Sequence, residues 1–395
     1  MVHQLPTGAR DLLPLDLLQK QWFEHRLQQV CHRWGYQPIL TPTLEYLSSL
    51  LAGGTIDANT VIQVQGRNEE ILGLRPEVTA SIARAYGPRY ARDANLGVQR
   101  LYYHANVFRW RGDQGQNEAF QSGVEILGAR GVAADGEILY LLADCLESIG
   151  IGTWKLVLGH AGLTTALIET FPESCRRAIR VGVAHLDRVA LEQLPLPDSL
   201  IDQVLTLLDL RGTPHEVFAK FTSLPWLPVT SLPELDYLQS LFHLWQGDCL
   251  LDLSLIQPFD YYTGVVFEVV LGDRILAQGG RYDHLLSHFH PRGTDIPSIG
   301  FCLNLEVLQQ VCQPQLPQTF PPPDYLVVPQ SEAELPAAFR LATELRLQHP
   351  KAIVKLALTP QCITQAKERG VSHILTVNDG DILEGGTSAG AAAQP

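Results

Sequence analysis

The chain has 395 residues, 46% of them hydrophobic, and a formal net charge of −13 at pH 7. That is enough apolar material for a sizeable core shared among two or three domains, and the acidic balance argues against broad, salt-dependent binding to a nucleic-acid backbone. Cys31, Cys145, Cys175, Cys249, Cys302, Cys312 and Cys362 are dispersed with no CxxC pair, which suggests neither a disulfide framework nor a zinc site. With no leader-like opening and no bilayer-length apolar run, the sequence reads as soluble and cytoplasmic, with neither nucleic acid nor membrane as a partner.

Residues 15–34 read as an amphipathic helix: Leu27, Val30, Cys31 and Trp34 fall at i, i+3, i+4 and i+7, and Gly35 supplies the stop. A strand-like stretch through Ile39–Pro42 follows, and Pro76 suits the first position of a helix running to about Ala85. Two strands, Leu101–Trp110 and Phe120–Leu127, precede a helix from about Asp135 to Ser148, with Asp135 and Glu137 as charges in its first turn. A strand at Trp154–Leu158 leads to a Leu-rich, Pro-punctuated helical insertion over about 161–246. Leu251, Leu253 and Leu255 then alternate as in a strand, Tyr261–Val270 and Arg274–Gln278 form a hairpin around Gly272-Asp273, and a helix lies near Leu303–Val311. Residues 313–323 contain five prolines and read as a linker, 324–383 as a small βαβαβ domain with parallel strands, and 384–395 as a disordered tail.

Chemistry concentrates on the strand Phe120–Leu127. By parity Gln121, Gly123 and Glu125 share one face, and on the preceding strand Arg109 lies with Tyr103 and Val107. An arginine opposite a glutamine and a glutamate could neutralise a carboxylate while the acid takes an ammonium or imidazolium group; a solvated sheet face is the plain alternative. Tyr261-Tyr262 suits either a site or packing, and Gly279-Gly280 either close approach of backbone to a ligand or a turn. His284, His288 and His290 have ligand-like spacing, but with only Asp283 beside them they read as a solvated loop, and no metal or cofactor is expected.

Several of these segments together resemble the histidyl-tRNA synthetases, a class II synthetase family. Leu74-Arg75-Pro76-Glu77-Val78-Thr79 is similar to their Leu-Arg-Pro-Glu-Gly-Thr segment, and Phe108-Arg109 with Gln121–Glu125 to motif 2. Gly35–Pro42 resembles motif 1, Gly8–Pro14 the N-terminal Gly-x-x-Asp-x-x-Pro, Phe259-Asp260-Tyr261-Tyr262 the histidine-specific motif, and Gln278–Asp283 its Gly-Gly-Arg-Tyr-Asp partner. The motifs run in order from about Gly8 to about Leu308, which makes the resemblance specific. It implies an α+β fold: an antiparallel sheet flanked by helices over 1–312, the helical insertion, and a small C-terminal α/β domain resembling a reduced anticodon-binding domain. It also implies histidine contacts at Glu77, Thr79, Arg109, Gln121, Glu125, Tyr261 and Tyr262, and a homodimer built through motif 1.

The nucleotide positions depart from the family. Its arginine three residues before the Asp-Tyr-Tyr aspartate is Gln257 here, its motif 3 arginine is Val307, and its motif 2 Phe-Arg-x-Glu ends in Arg111. Asn117 and Glu118 stand where the family reads Arg-x-Arg. Each lost charged donor costs about 3–4 kcal/mol of transition-state stabilisation, so no catalytic residue is assigned. A synthetase body of this kind is similar to the synthetase-like regulatory subunits. The implied role is non-catalytic: support of a short-form phosphoribosyltransferase catalytic subunit in a hetero-octamer, with histidine as feedback effector in the first step of histidine biosynthesis. The alternatives are an active histidyl-tRNA synthetase and a free-standing paralogue with another regulatory role.

Overall fold

The computed structural model describes residues 4–52, 56–67, 69–93, 95–111, 115–226, 228, 232–257, 259, 261–378 and 381–385. The chain divides into two compact units, residues 1–316 and 317–395.

The first unit opens with α1 (Pro14–Arg33), where Pro14 takes a first-turn position and Asp16 accepts from the Leu13 amide at 3.0 Å. Gly35, at φ +80°, turns the chain out of the helix into β1 (Gln37–Pro38). The strand expected at Ile39–Pro42 is thus this shorter segment upstream. Then come β2 (Leu44–Tyr46), α2 (Leu47–Leu50), β3 (Gln63–Gln65), β4 (Ile71–Leu74) and α3 (Thr79–Arg92).

Helix α3 starts later than Pro76 because the Glu77 carboxylate accepts the amides of Thr79 and Ala80 and so sets the first turn there. It also continues through Gly87-Pro88 instead of ending near Ala85. A Cβ at Gly87 would lie 2.8 Å from Phe289 Cβ, so this glycine serves close packing against the 3-10 turn Leu285–Phe289.

Strands β5 (Gln99–Phe108) and β6 (Glu118–Leu127) pair antiparallel with Leu101 opposite Glu125 and Ala105 opposite Gln121. They are followed by α4 (Val132–Ser148) and β7 (Lys155–His160). The insertion holds α5 (Ala161–Glu169), α6 (Glu173–Ala184), α7 (Arg188–Glu192), α8 (Asp198–Leu208), the short β8 (Arg211–Gly212), α9 (Pro214–Thr222) and α10 (Leu232–Leu244). Strands β9 (Cys249–Asp252), β10 (Val265–Leu271), β11 (Arg274–Arg281) and β12 (Ser298–Asn304), then α11 (Leu305–Val311), complete the unit.

Among the described residues the principal sheet has nine strands in the order β1-β5-β6-β12-β11-β10-β7-β9-β8. It is antiparallel except for the β1–β5 and β7–β9 pairs. One face, carrying Tyr102, Val124, Ile126, Phe267, Ile299, Phe301 and Leu303, joins the core formed with α1, α4 and the insertion. The other face carries the polar pocket described below. β2, β4 and β3 form a separate small antiparallel sheet.

Asp135 does lie in the first turn of α4, but it and Glu137 are held in ion pairs with partners distant in the chain. Asp135 is 0% exposed and accepts from the Arg281 guanidinium and from Tyr237 Oη. Glu137 takes two Arg100 donors at 2.7 Å and the Tyr36 hydroxyl at 3.0 Å.

In the second unit β13 (Tyr325–Pro329), α12 (Leu335–Gln348), β14 (Val354–Leu356), α13 (Pro360–Glu368) and β15 (His373–Asn378) form the anticipated βαβαβ run with parallel pairing. An additional strand, β16 (Asp381–Gly385), adds antiparallel to β15 and covers the beginning of the segment read as a tail. The rest of that tail, 386–395, lies outside the described residues. The 313–323 segment begins with a 3-10 turn at Gln313–Gln315 and a buried Leu316. Among the described residues no helix is long and apolar enough to cross a membrane.

Candidate functional site

The pleat alternation sends Leu101, Tyr103, Ala105 and Val107 of β5 to the same side as Gln121, Gly123 and Glu125 of β6. Gly300 and Cys302 of β12, and Gln278 and Gly280 of β11, continue that face by register. The face is floored by glycine where side chains must cross it. A Cβ on Gly300 would fall 1.8 Å from Glu125 Oε2, one on Gly123 2.4 Å from the Tyr103 ring, and one on Gly280 2.8 Å from Tyr262. These glycines therefore make room for the pocket's own side chains. Gly279 belongs to the opposite face, against Phe267, so only one of the Gly279-Gly280 pair serves the site.

All seven residues assigned by resemblance line one pocket: Glu77, Thr79, Arg109, Gln121, Glu125, Tyr261 and Tyr262. This inner pocket of about 40 Å3 shares Gln257, Phe259 and Tyr262 with a neighbouring cavity of about 280 Å3. It shares Arg109, Gln121, Gln278 and Cys302 with another of about 130 Å3. A ligand larger than the inner pocket has to extend into one of these two.

Glu125 is the innermost charge-bearing group, 1% exposed. Its Oε1 accepts the Thr79 hydroxyl at 2.7 Å and its Oε2 the Tyr282 hydroxyl. Burial pushes its pKa up from 4.5 to about 8, against the lowering effect of those two hydroxyls. Glu77 is likewise buried and raised by desolvation, opposed by the Ala80 and Thr79 amides and the Arg109 charge. Its two oxygens are committed to the first turn of α3, at 2.6 Å from the Ala80 nitrogen and 2.8 Å from that of Thr79. Arg109 is fixed by its Nε on the Pro76 carbonyl at 2.8 Å and by its guanidinium 5.1 Å from the Phe259 ring centroid. One end of the pocket is thus cationic and the other carries a carboxyl between two hydroxyls, a layout that fits a small zwitterion with a hydrogen-bonding side chain.

The Glu125 titration has a sign that can be checked. Between 4.5 and about 8 the folded chain holds a proton that the unfolded chain has released, so this group's contribution makes stability fall as pH rises through that window and level off above it. The slope approaches about 1.4 kcal/mol per pH unit. Urea unfolding from pH 5 to 8 is expected to show a shallower decline for Glu125→Gln than for the parent; equal slopes would place the titration elsewhere.

The positions that depart from the synthetase pattern take new structural roles. Gln257 is buried; its Nε2 donates to Glu268 Oε1 at 3.2 Å and its Oε1 accepts from Gln278 at 3.2 Å. Gln257 thus joins an amide–carboxylate network at the position where the resemblance expects a cation. Val307 packs against the main core. Arg111 lines the 130 Å3 cavity with Arg109 and Asn117. Asn117 pins the N-terminal segment, donating to the Thr7 carbonyl at 3.1 Å and accepting the Arg111 amide at 3.0 Å. Glu118 accepts from Asn106 at 2.6 Å. Asp260 and Gly112–Gln114, also parts of the motifs, lie outside the described residues.

Sequence reasoning did not single out Tyr103, Tyr282, Gln278, Gly300 or Cys302 as site residues, although all line the pocket. Tyr282 lay inside a motif already quoted, and its parity with Gly280 was the available signal. The histidine triplet separates: His290 is buried, its Nδ1 accepting the amides of Arg292 and Thr294, while His284 pairs with Asp295 at 2.9 Å. His290 is a loop-capping residue, not a solvated one. Among the described residues no group of three or more His, Cys, Asp or Glu could hold a metal ion.

Comparison with known proteins gives three kinds of match. The family model for histidyl-tRNA synthetase matches residues 8–308. An ATP phosphoribosyltransferase regulatory subunit from Trichormus variabilis is 46% identical over 97% of this chain and 98% of that protein. One from a Cyanothece species is 50% identical over 88% of each. Among solved structures, an ATP phosphoribosyltransferase regulatory subunit/histidyl-tRNA synthetase from Bacillus halodurans superposes with a TM-score of 0.79 at 25% identity, over 92% of this chain and 96% of that one. Histidyl-tRNA synthetase from S. aureus shares the fold, with a TM-score of 0.70 at 20% identity over 95% and 91% of the two chains.

Proposed function

The chain belongs to the histidyl-tRNA synthetase family and, within it, to the ATP phosphoribosyltransferase regulatory subunits, and on that premise we propose that its sheet pocket is a histidine sensor. The protein is a non-catalytic regulatory subunit acting in histidine biosynthesis, and its partner is the catalytic subunit of ATP phosphoribosyltransferase. The observation that carries the sensor reading is the conjunction of Glu125, buried between the Thr79 and Tyr282 hydroxyls, with Gln257 in the place of a nucleotide-binding cation. The first arrangement suits an imidazole N–H; the second removes the cation that the family places there for charge on an α-phosphate.

In this reading Glu125 accepts from the imidazole, Arg109 and Gln121 meet the amino-acid backbone groups, and Tyr261 and Tyr262 close the pocket. Glu77 and Thr79 hold the start of α3 against the ligand. Histidine inhibits by binding more tightly to the inhibited state of the assembly, and the coupling is reciprocal. The partner is of the short form, which depends on this subunit for activity, and the assembly is a hetero-octamer built on homodimers of this chain. Support for the homodimer comes from apolar side chains around motif 1. Leu40 is 82% exposed, and Leu44, Tyr46 and Val64 are exposed on the adjoining small sheet.

Two assays test the proposal together. Mixing this chain with a short-form catalytic subunit is expected to raise phosphoribosyl transfer and make it sensitive to histidine. The chain alone is expected to give no histidine-dependent pyrophosphate–ATP exchange. Measurable exchange, or no activation on mixing, would overturn the reading.

A further inference from the structure

The first unit carries a further cavity, of about 410 Å3, that shares no lining residue with the three cavities of the sheet pocket. Its lining includes Arg130, His160, Glu234, Tyr237 and Arg281. Part of that lining is already saturated. Arg281 donates to Asp135, to Asp283 at 3.0 Å and to the Ala129 carbonyl at 3.1 Å, and Tyr237 donates to Asp135.

Three groups around the cavity are not saturated. The His160 ring is 4% exposed, and its Nδ1 accepts the Leu163 amide at 3.2 Å as the cap of α5. Burial pushes its pKa down to about 4. The ring is therefore neutral, and with Nδ1 accepting, the proton sits on Nε2, a donor for which no described residue supplies an acceptor. Glu234 Oε2 is buried without a hydrogen-bond partner. Arg130 is exposed and makes no hydrogen bond or ion pair with a described residue. A buried acceptor left without a hydrogen bond, as Glu234 Oε2 is, costs stability unless something else meets it.

We propose that this cavity is a second small-molecule site for a zwitterion of the α-amino-acid class, its carboxylate on Arg130 and the His160 Nε2–H and its ammonium on Glu234. The charges favour that class. Arg130 offsets a carboxylate, Glu234 an ammonium, and the Asp135–Arg281–Asp283 cluster leaves no further cation free for a polyanion. The proposal does not depend on what the sheet pocket binds.

The test uses the full chain carrying Glu125→Gln, which disables the sheet pocket, titrated calorimetrically with each proteinogenic amino acid in turn. At least one is expected to bind saturably at millimolar concentration or below. Its amide and its N-acetyl derivative, each lacking one charge, are expected not to bind. Arg130→Ala and Glu234→Gln, added singly, should each weaken binding by about tenfold or more. Both substitutions remove only groups without partners in the fold, so unfolding does not confound the result. No saturable binding by any amino acid, or binding unaffected by both substitutions, would overturn the proposal.

Discussion

Glu125→Gln is expected to weaken histidine binding by about a hundredfold, close to 3 kcal/mol, while leaving the chain folded. The carboxyl is 1% exposed and holds two hydroxyl donors, Thr79 at 2.7 Å and Tyr282 on the other oxygen. Glutamine keeps the shape and one acceptor, and either hydroxyl can rotate to accept from the new amide, so no buried polar group is stranded. What disappears is the charge that can form opposite an imidazole N–H. Because burial pushes the free carboxyl up to about 8, a ligand that needs its ionised form binds better as pH rises from 7 towards that value. The variant should lose this trend. Calorimetric titration at two pH values reads both effects, and affinity within about threefold of the parent would remove Glu125 from the site.

The second large effect concerns the ion cluster beneath the neighbouring strand end. Arg281→Met is expected to cost about 3–5 kcal/mol of folding stability. It leaves Asp135, 0% exposed, without its cation, and burial already raises that carboxyl's pKa. Asp283 loses its 3.0 Å ion pair at the same time. The double variant Asp135→Asn/Arg281→Met should recover part of the loss, since an unpaired buried charge costs more than an absent pair. Denaturant midpoints of the two single variants and the double test this. A loss below about 1 kcal/mol for Arg281→Met would show that the cluster is solvated in solution.

The polar face of the site was legible in the sequence because a strand's period is two. Gln121, Gly123 and Glu125 had to share a side, and Arg109 with Tyr103 followed the same parity. The resemblance supplied the antiparallel character of the principal sheet, but not its strand order. What was not legible depended on contacts distant in the chain. Asp135 and Arg281 are 146 residues apart, so nothing local distinguished Asp135 from a helix-dipole charge. Gly300 carries no chemistry of its own; its importance appears only when Glu125 is found lying over it, at 1.8 Å from where a Cβ would be. Pro76 misplaced the start of α3 because the Glu77 carboxylate, not the proline, sets the first turn. β8, two residues long inside a helical insertion, pairs antiparallel to β9 with no alternation to announce it.

The departures at Gln257, Val307 and Arg111 connect sequence to function most directly. Gln257 and Gln278 both donate to Glu268, so an amide–carboxylate network surrounds the position where the resemblance expects an arginine. Val307 is half-buried and packs against the apolar core. Restoring one cation would not rebuild a nucleotide site, because its neighbours now hold each other. Arg109 and Arg111 line one cavity next to the inner pocket, whose lining holds no carboxylate, and Arg180 lines the other.

The most direct test of the central claim is histidine inhibition of the reconstituted assembly of this chain with a short-form catalytic subunit, measured for the parent and for Glu125→Gln. The account predicts that both chains activate the catalytic subunit, that the parent assembly is inhibited by histidine, and that the inhibition curve of the variant moves about a hundredfold to higher concentration. Superimposable inhibition curves would contradict it and place the effector site outside the sheet pocket.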